Sequence, residues 1–571
     1  MQQKYDNIGV MESWNENSVS LLAGQKMAAA WKRLADALAA DPQLWLSVVG
    51  EAQQKQMQAT EQIGKEGGNA APPKGDRRFA AEQWHNNPFF TFLMQNYLLG
   101  GEAMMTIIER ANVSEEDKKL LRFAAKQYVD AVSPANFPMT NPEVLEETAK
   151  TGGQNFVRGM QNFAADMQSG GVSNTDKTAF AIGENIACTP GKVIFQNDIM
   201  QLIEYAPQTK QVYTRPLLIV PPCINKYYIL DLQQHNSFVA HAVAAGQRVF
   251  LVSWASAGES QRRLGWDFYL REGVMSAIEV VTTLCGREKI NTLGFCIGGT
   301  MLASALAVLA AGDERPAHSM TLLATLLDFS DSGEIGLFID EDYVKATEER
   351  FAEDGGIVNG GELARGFATL RPNDLIWPYF INNYYRGQKP QAFDLLFWNA
   401  DSVNLPGPMF AEYLRACYLE NRIADKTAVF CDTETDVSTI NIPTYVVACE
   451  KDHIAPWQAA YSAARLLGGK NTRFTLAASG HIAGIVNPPS LKKGWHATAL
   501  MTSTKDDSEW RASVKQTPGG WWDDWTQWLA KHSGKKITAP KKPGSVRYAP
   551  LKDAPGDYVR ASTSQQEQHH E

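Results

Sequence analysis

Two rhythms of apolar residues divide the chain. Up to about residue 200 the spacing is helical. Met27, Trp31, Leu34, Ala35 and Leu38 recur at i, i+4, i+7, i+8 and i+11, which places them on one face of a helix. Residues 51–63 are Gln-rich and mostly polar, and GKEGGNAAPPKG at 64–75 reads as a linker because Gly and Pro punctuate it. From Asp76 to about Gly170 helical spacing resumes, broken at places such as SPANF (133–137). After Tyr205 short apolar runs take over: LLIV at 217–220, VFLVSW at 249–254, NTLGF at 291–295, Met320 to Leu327, and TYVVAC at 444–449. Such runs, alternating with helical stretches such as Thr300 to Ala311, predict a mainly parallel sheet with helices on both faces. Between about Asp328 and Ser438 the rhythm fails and aromatics crowd in, as in IWPYFINNYYRG and FDLLFW. An insertion of that size ahead of the next strand predicts a cap over the sheet's C-terminal edge. The expected organisation is a mostly helical domain over 1–200 and an α/β domain over 201–571, with the cap at about 328–438.

Composition narrows the class. A chain of 571 residues is too long for one small core. With 44% hydrophobic and 20% charged residues it reads as an ordinary globular protein, and its net charge of -9 argues against nucleic acid as a partner. The cysteines (Cys188, Cys223, Cys285, Cys296, Cys417, Cys431 and Cys449) are scattered with no CxxC pair, which fits a reduced, cytoplasmic chain better than a disulfide framework. No HExxH or clustered Cys/His pattern suggests a metal, and no cofactor is implied. The opening MQQKYDNIGVMESW lacks the basic and apolar regions of a signal peptide, and no apolar run reaches the ~18 residues of a transmembrane segment. Any contact with a hydrophobic phase is therefore expected at a surface. The stretch GGWWDDWTQWL (519–529) puts Trp521, Trp522, Trp525 and Trp528 on one helical face, either packed on the main domain or open to an apolar partner. The last residues, STSQQEQHHE, read as a tail.

The chemistry centres on Gly294-Phe295-Cys296-Ile297-Gly298-Gly299, which follows an apolar strand and opens an apolar helix. This is the G-x-nucleophile-x-G elbow of an α/β-hydrolase fold with Cys in place of Ser. The glycines allow a sharp turn and a close strand–helix approach. The helix N-terminus favours a thiolate at Cys296, and the Ile297 N–H is one expected oxyanion donor. That fold needs an acid and then a His after later strands. Asp452, in CEKDHIAPW, follows TYVVAC, and His481, in SGHIAG, follows RFTLA. His453 is the weaker base because adjacent turn residues point apart, and Asp328 is an alternative acid at the end of an earlier strand. A Cys nucleophile is itself informative. Its acyl adduct is a thioester, close in energy to an acyl-CoA, which suits transfer and chain extension more than hydrolysis.

These segments, together with PPCINKYYILDL (221–232), LLDF (326–329), RPNDLIWPYFINNYY (371–385), FDLLFWN (393–399) and SGHIAGIVNPP (479–489), resemble the polyhydroxyalkanoate synthases, and the elbow form resembles class I. The resemblance runs from about Asp76 to Val559. It implies an α/β-hydrolase fold with a cap insertion, preceded by a mostly helical N-terminal domain that aids dimerisation and granule association. It implies polymerisation of (R)-3-hydroxyacyl-CoA, short-chain 3-hydroxybutyryl-CoA above all, with CoA release. In that scheme Cys296 is the nucleophile, His481 the base, and Asp452 the acid that orients His481 or activates the substrate's hydroxyl. Cys223 lies where a second backbone oxyanion donor is expected. The implied partners are the acyl-CoA, the polyester granule surface with its associated proteins, and a second copy in a homodimer, in the cytoplasm. The rival readings are a thioesterase or polyester hydrolase of the same fold, and an inactive granule coat. The Ala255-Ser256-Ala257 run, where relatives often carry Arg-Asn-Pro, bears on substrate breadth and gating.

Overall fold

The computed structural model describes residues 18–66, 76–169, 171–286, 288–501 and 506–561. Most of the linker read at 64–75, the opening segment read for a signal peptide, and the STSQQEQHHE tail lie outside the described residues. The described residues of Met1–Asp176 together with Arg365–Phe393 form one compact unit, and those of Lys177–Ala364 with Asp394–Glu571 form a second.

The first unit is helical, with long helices at Ser18–Ala40, Pro42–Glu66, Pro88–Arg110, Glu115–Ala131 and Gln154–Ser169. Side-chain caps start several of them: Asn87 accepts from the Phe89 N–H and Ser114 from the Asp117 N–H. The polar stretch at 51–63 continues the second helix, and Glu51 and Lys55 on it pair with Arg110 and Glu102. Phe79, Trp84 and Met94 form a small core.

Residues 365–393 correct the expectation of one continuous cap, because they cluster with the helical residues. The physical reason is a set of specific contacts. Asn155 Nδ2 donates to the Tyr385 carbonyl (2.7 Å), Asn162 Nδ2 to the Asn383 carbonyl (3.0 Å), and Tyr384 Oη to Asp166 Oδ2 (2.7 Å). Gly159 leaves room for the Tyr384 carbonyl, which a Cβ would overlap at 1.8 Å.

The second unit is built on an eleven-stranded sheet. Its strands are β1 (Gly191–Gln196), β2 (Met200–Tyr205), β3 (Leu217–Val220), β4 (Val249–Trp254), β5 (Ile290–Phe295), β6 (Ala317–Leu323), β7 (Thr444–Cys449), β8 (Thr472–Ala477), β9 (Trp495–Leu500), β10 (Thr517–Pro518) and β11 (Lys552–Asp553). Across the sheet they lie in the order β10-β9-β8-β7-β6-β5-β3-β4-β2-β1-β11. The central six, β8-β7-β6-β5-β3-β4, are parallel, and β2 and β9 join their outer edges antiparallel. The sheet is thus mixed, with the expected parallel part at its centre. β1 and β2 fall before residue 205, so the boundary drawn at 200 is displaced: the compact units part between Asp176 and Lys177. Nearly every residue of β3, β5 and β7 is buried, as apolar runs covered on both faces require. Trp521, Trp522, Trp525 and Trp528 are buried beneath β6 and β7, so the packed reading of the tryptophan face holds.

Candidate active site

The elbow sits between β5 and the helix Ile297–Ala311. Cys296 adopts φ 53°, ψ −129°, a conformation side chains rarely occupy, held on one side by its N–H donating to the Leu323 carbonyl (2.9 Å). The three glycines are required by contact. A Cβ on Gly294 would meet the Gly299 Cα at 2.4 Å, one on Gly298 the Val220 and Pro221 carbonyls at 2.4 Å, and one on Gly299 the Thr325 hydroxyl at 2.1 Å. Ile297 opens the helix, so its N–H has no intrahelical acceptor and stays available to a ligand.

His481 and Asp452 arrive from the neighbouring strand ends. The His481 Nδ1–H donates to Asp452 Oδ2 (2.7 Å), and its ring stacks on Phe295 with centroids 5.8 Å apart. The Cys296 sulfur lies within electrostatic range of the imidazole. Burial works to lower the His481 pKa, but the Asp452 carboxylate and the Cys296 sulfur overcome it and hold the pKa well above the ordinary value. Asp452 Oδ1 is engaged too, accepting from the Ile454 and Ala455 N–H groups (both 2.9 Å). Asp452 is therefore at once the helix-type cap and the imidazole's partner. Asp328, the alternative acid, is turned elsewhere: its Oδ1 accepts from the Ser330 N–H and from Asn421 Nδ2. The His453 carbonyl receives the Glu334 N–H, and the ring that meets Cys296 is that of His481.

Cys223 lies in the loop after β3, fully buried, and its sulfur is within electrostatic range of Cys296. Burial pushes its thiol pKa well up, so the side chain is inert packing. Two features escaped the sequence reading. Trp521 Nε1 donates to the Gly484 carbonyl (3.0 Å) and Trp522 Nε1 to the Ile485 carbonyl (2.8 Å), so the tryptophans brace the segment that follows His481. Tyr413 and Tyr418, packed edge-to-face at 5.5 Å, sit within electrostatic range of Cys296. The aromatic richness of the 328–438 segment was the available signal for the second.

A thiol, an imidazole and a carboxylate following β5, β8 and β7 of such a sheet define an α/β-hydrolase-type enzyme. A family model described as "alpha/beta hydrolase fold" matches residues 216–488, and one for "Poly-beta-hydroxybutyrate polymerase (PhaC) N-terminus" matches 75–242. The chain is 45% identical over 525 residues, covering 90% of itself and 88% of the relative, to the poly(3-hydroxyalkanoate) polymerase subunit PhaC of Cupriavidus necator. It is 42% identical to the poly(3-hydroxyalkanoate) polymerase of Methylorubrum extorquens (86% of this chain, 81% of that one). It is 36% identical to poly(3-hydroxyalkanoate) polymerase 2 of Ectopseudomonas oleovorans (86% and 87%). The chain belongs to the polyhydroxyalkanoate polymerases and is an acyltransferase.

Proposed function

We propose that the enzyme polymerises (R)-3-hydroxyacyl-CoA, with short acyl groups such as 3-hydroxybutyryl preferred, through a thioester on Cys296. The observation that carries this reading is the His481–Asp452 hydrogen bond beside Cys296, the three residues following β5, β7 and β8 of one sheet. His481 takes the thiol proton. The thiolate attacks the thioester carbonyl, and the oxyanion is met by the Ile297 and Cys223 N–H groups. The carbon–sulfur bond to CoA breaks, and CoA leaves with the proton from His481. The 3-hydroxyl of a second unit then gives its proton to His481 and attacks the acyl-Cys. An ester forms and Cys296 is released as the thiol. Because both Asp452 oxygens are already engaged, the orienting role is the better supported one. The aromatic pair Tyr413 and Tyr418, within electrostatic range of Cys296, supports a short acyl group. We assign residues 394–438 and 328–364 to a cap, and, on the resemblance alone, a homodimer working in the cytoplasm at the granule surface with its associated proteins. No described helix is long and apolar enough to cross a membrane.

The test is incubation of the purified full chain with (R)-3-hydroxybutyryl-CoA, following CoA release and pelleted polyester. The expected result is both, with Cys296→Ala lowering the rate at least roughly 10³-fold while the fold persists. CoA release with free 3-hydroxybutyrate as the only other product would make the protein a thioesterase.

A further inference from the structure

The loop 221–226, which leads from β3 past Cys223, is held on both sides of that cysteine. Trp254 Nε1 donates to the Pro221 carbonyl (2.9 Å), the Val403 N–H to the Ile224 carbonyl (3.1 Å), and Trp398 Nε1 to the Lys226 carbonyl (2.7 Å). Asn225 forms a bridge with Ser402. The loop closes on Lys226, which is 2% exposed. A lysine so buried is rare unless its charge is matched. Here the Nζ donates to three backbone carbonyls, those of Tyr558 (3.3 Å), Val559 (3.3 Å) and Ala561 (2.6 Å). Three acceptors match the three N–H groups of an ammonium; a neutral amine has only two. The acceptor segment is itself fixed. Gln201 Oε1 receives the Asp557 and Tyr558 N–H groups, Tyr558 Oη donates to the Asn197 carbonyl, Arg560 donates to the Ile182 carbonyl, and Val559 is buried.

We infer that Lys226, clamped by the carbonyls of residues 558–561, is a positioning residue that sets the Cys223 N–H over the reacting carbonyl. The C-terminal segment thereby becomes part of the acyl-transfer machinery some 330 residues away in sequence. This rests on the proposed attack by Cys296. The clamp does not touch substrate, so its loss acts on the transition state rather than on substrate binding.

The experiment compares three forms of the full-length enzyme with (R)-3-hydroxybutyryl-CoA. They are Lys226→Met, which removes the ammonium; a chain ending at Asp557, which removes its acceptors; and the combination. The expected result is a roughly 10- to 100-fold fall in kcat for each single change, with KM within about 3-fold of wild type. The combined form falls no further than the worse single form, because both changes break one clamp. Circular dichroism and thermal melting establish which forms fold, and if one single form does not, the kcat–KM split of the other decides. Unchanged kcat, a loss carried by KM, or losses that multiply in the combined form would overturn the inference. So would unfolding of every form, which would make the clamp a stability element only. Cys296→Ala in the same assay separates the two readings: if it still turns over, the nucleophile assignment fails, whereas a dead Cys296→Ala beside a wild-type Lys226→Met sinks only the clamp.

Discussion

The two loops that flank Cys296 are both braced by indole N–H groups, but only one of them adds buried ionisable groups to that bracing. On one side the segment after His481 is held by neutral indoles: Trp521 and Trp522 donate to the Gly484 and Ile485 carbonyls, and Trp525 donates to the Thr321 hydroxyl beneath them. The rings pack against one another and against Phe238, with Ile485 and Val486 buried among them. On the other side, the indoles of Trp254 and Trp398 hold the Pro221 and Lys226 carbonyls, and buried ionisable groups are added to them along the segment from Cys223 to Leu232. Lys226 caps backbone carbonyls, Asp401 accepts from Tyr228 (2.8 Å), and Asp231 accepts from Thr189 (2.5 Å) and Ser237 (2.6 Å). Neutral bracing keeps its strength at any pH. Ionic bracing is strong in the dry interior and changes whenever a proton moves. The proposed base is thus carried by the less sensitive side and the proposed second oxyanion donor by the more sensitive one.

The largest way to break this contrast is to remove the carboxylate that holds the imidazole on the His481 side. Asp452→Asn leaves the indole bracing intact and deletes the charge that holds the imidazole. Acylation of Cys296, followed by rapid quench, is expected to fall roughly 10²- to 10⁴-fold. The His481 pKa should drop as well. Burial is the largest influence on it and acts downward, so without the carboxylate the imidazole should lose its proton below its ordinary value instead of well above it. An NMR titration of His481 reads this directly. Near-normal acylation with slowed elongation would instead assign Asp452 to the hydroxyl of the incoming unit.

A smaller effect sharpens the neutral half. Trp522→Phe keeps the ring and removes the indole N–H, leaving the Ile485 carbonyl without its donor. Stability should fall by roughly 1–3 kcal/mol, the cost of a buried polar group left unpaired. Urea unfolding at pH 7 and pH 8.5 should give the same loss, because the lost bond joins two groups that do not titrate and His241, which packs on the Trp522 ring with its pKa lowered by burial, stays neutral across that range. A loss that changed with pH would mean that the neutral description of this side is wrong.

How far each side was legible in the sequence follows the same division. The elbow glycines and the Cys–Asp–His order are local signals, each a short motif after an apolar run, and the structure brings all three side chains together. The tryptophans were visible as one helical face, but which surface they cover depends on β6 and β7 folding against them. β2 and β9 were missed because the apolar runs that mark the parallel centre were the signal sought: β9 (Trp495–Leu500) is only partly buried, and the buried β2 is interrupted by Gln201 and Glu204. The aromatic run at 371–385 was assigned to the cap because its partners, Asn155, Gly159 and Asp166, lie some 220 residues earlier. Lys226 is the extreme case. Its acceptors are backbone carbonyls, which have no residue identity for a sequence to display.

The last prediction tests the ionic half at Asp231, the residue that closes the segment begun by Cys223. Burial is the main cause that pushes its carboxyl up to about 6, against the opposing hydrogen bonds from Ser237 and Thr189. The unfolded chain has an ordinary aspartate near 3.9, so the folded state binds this proton more tightly. The group's contribution to stability is therefore full below about pH 4 and is lost as pH rises to about 6, beyond which the native protein carries a buried carboxylate at a cost of roughly 3 kcal/mol at most. Asp231→Asn keeps an oxygen for the Thr189 and Ser237 hydroxyls and cannot ionise. Its urea midpoint relative to wild type should rise between pH 4 and pH 6 and stay level above that. A flat difference for Asp231→Asn would remove this carboxylate from the pH-sensitive side and leave Lys226 and Asp401 as the groups on which the contrast rests.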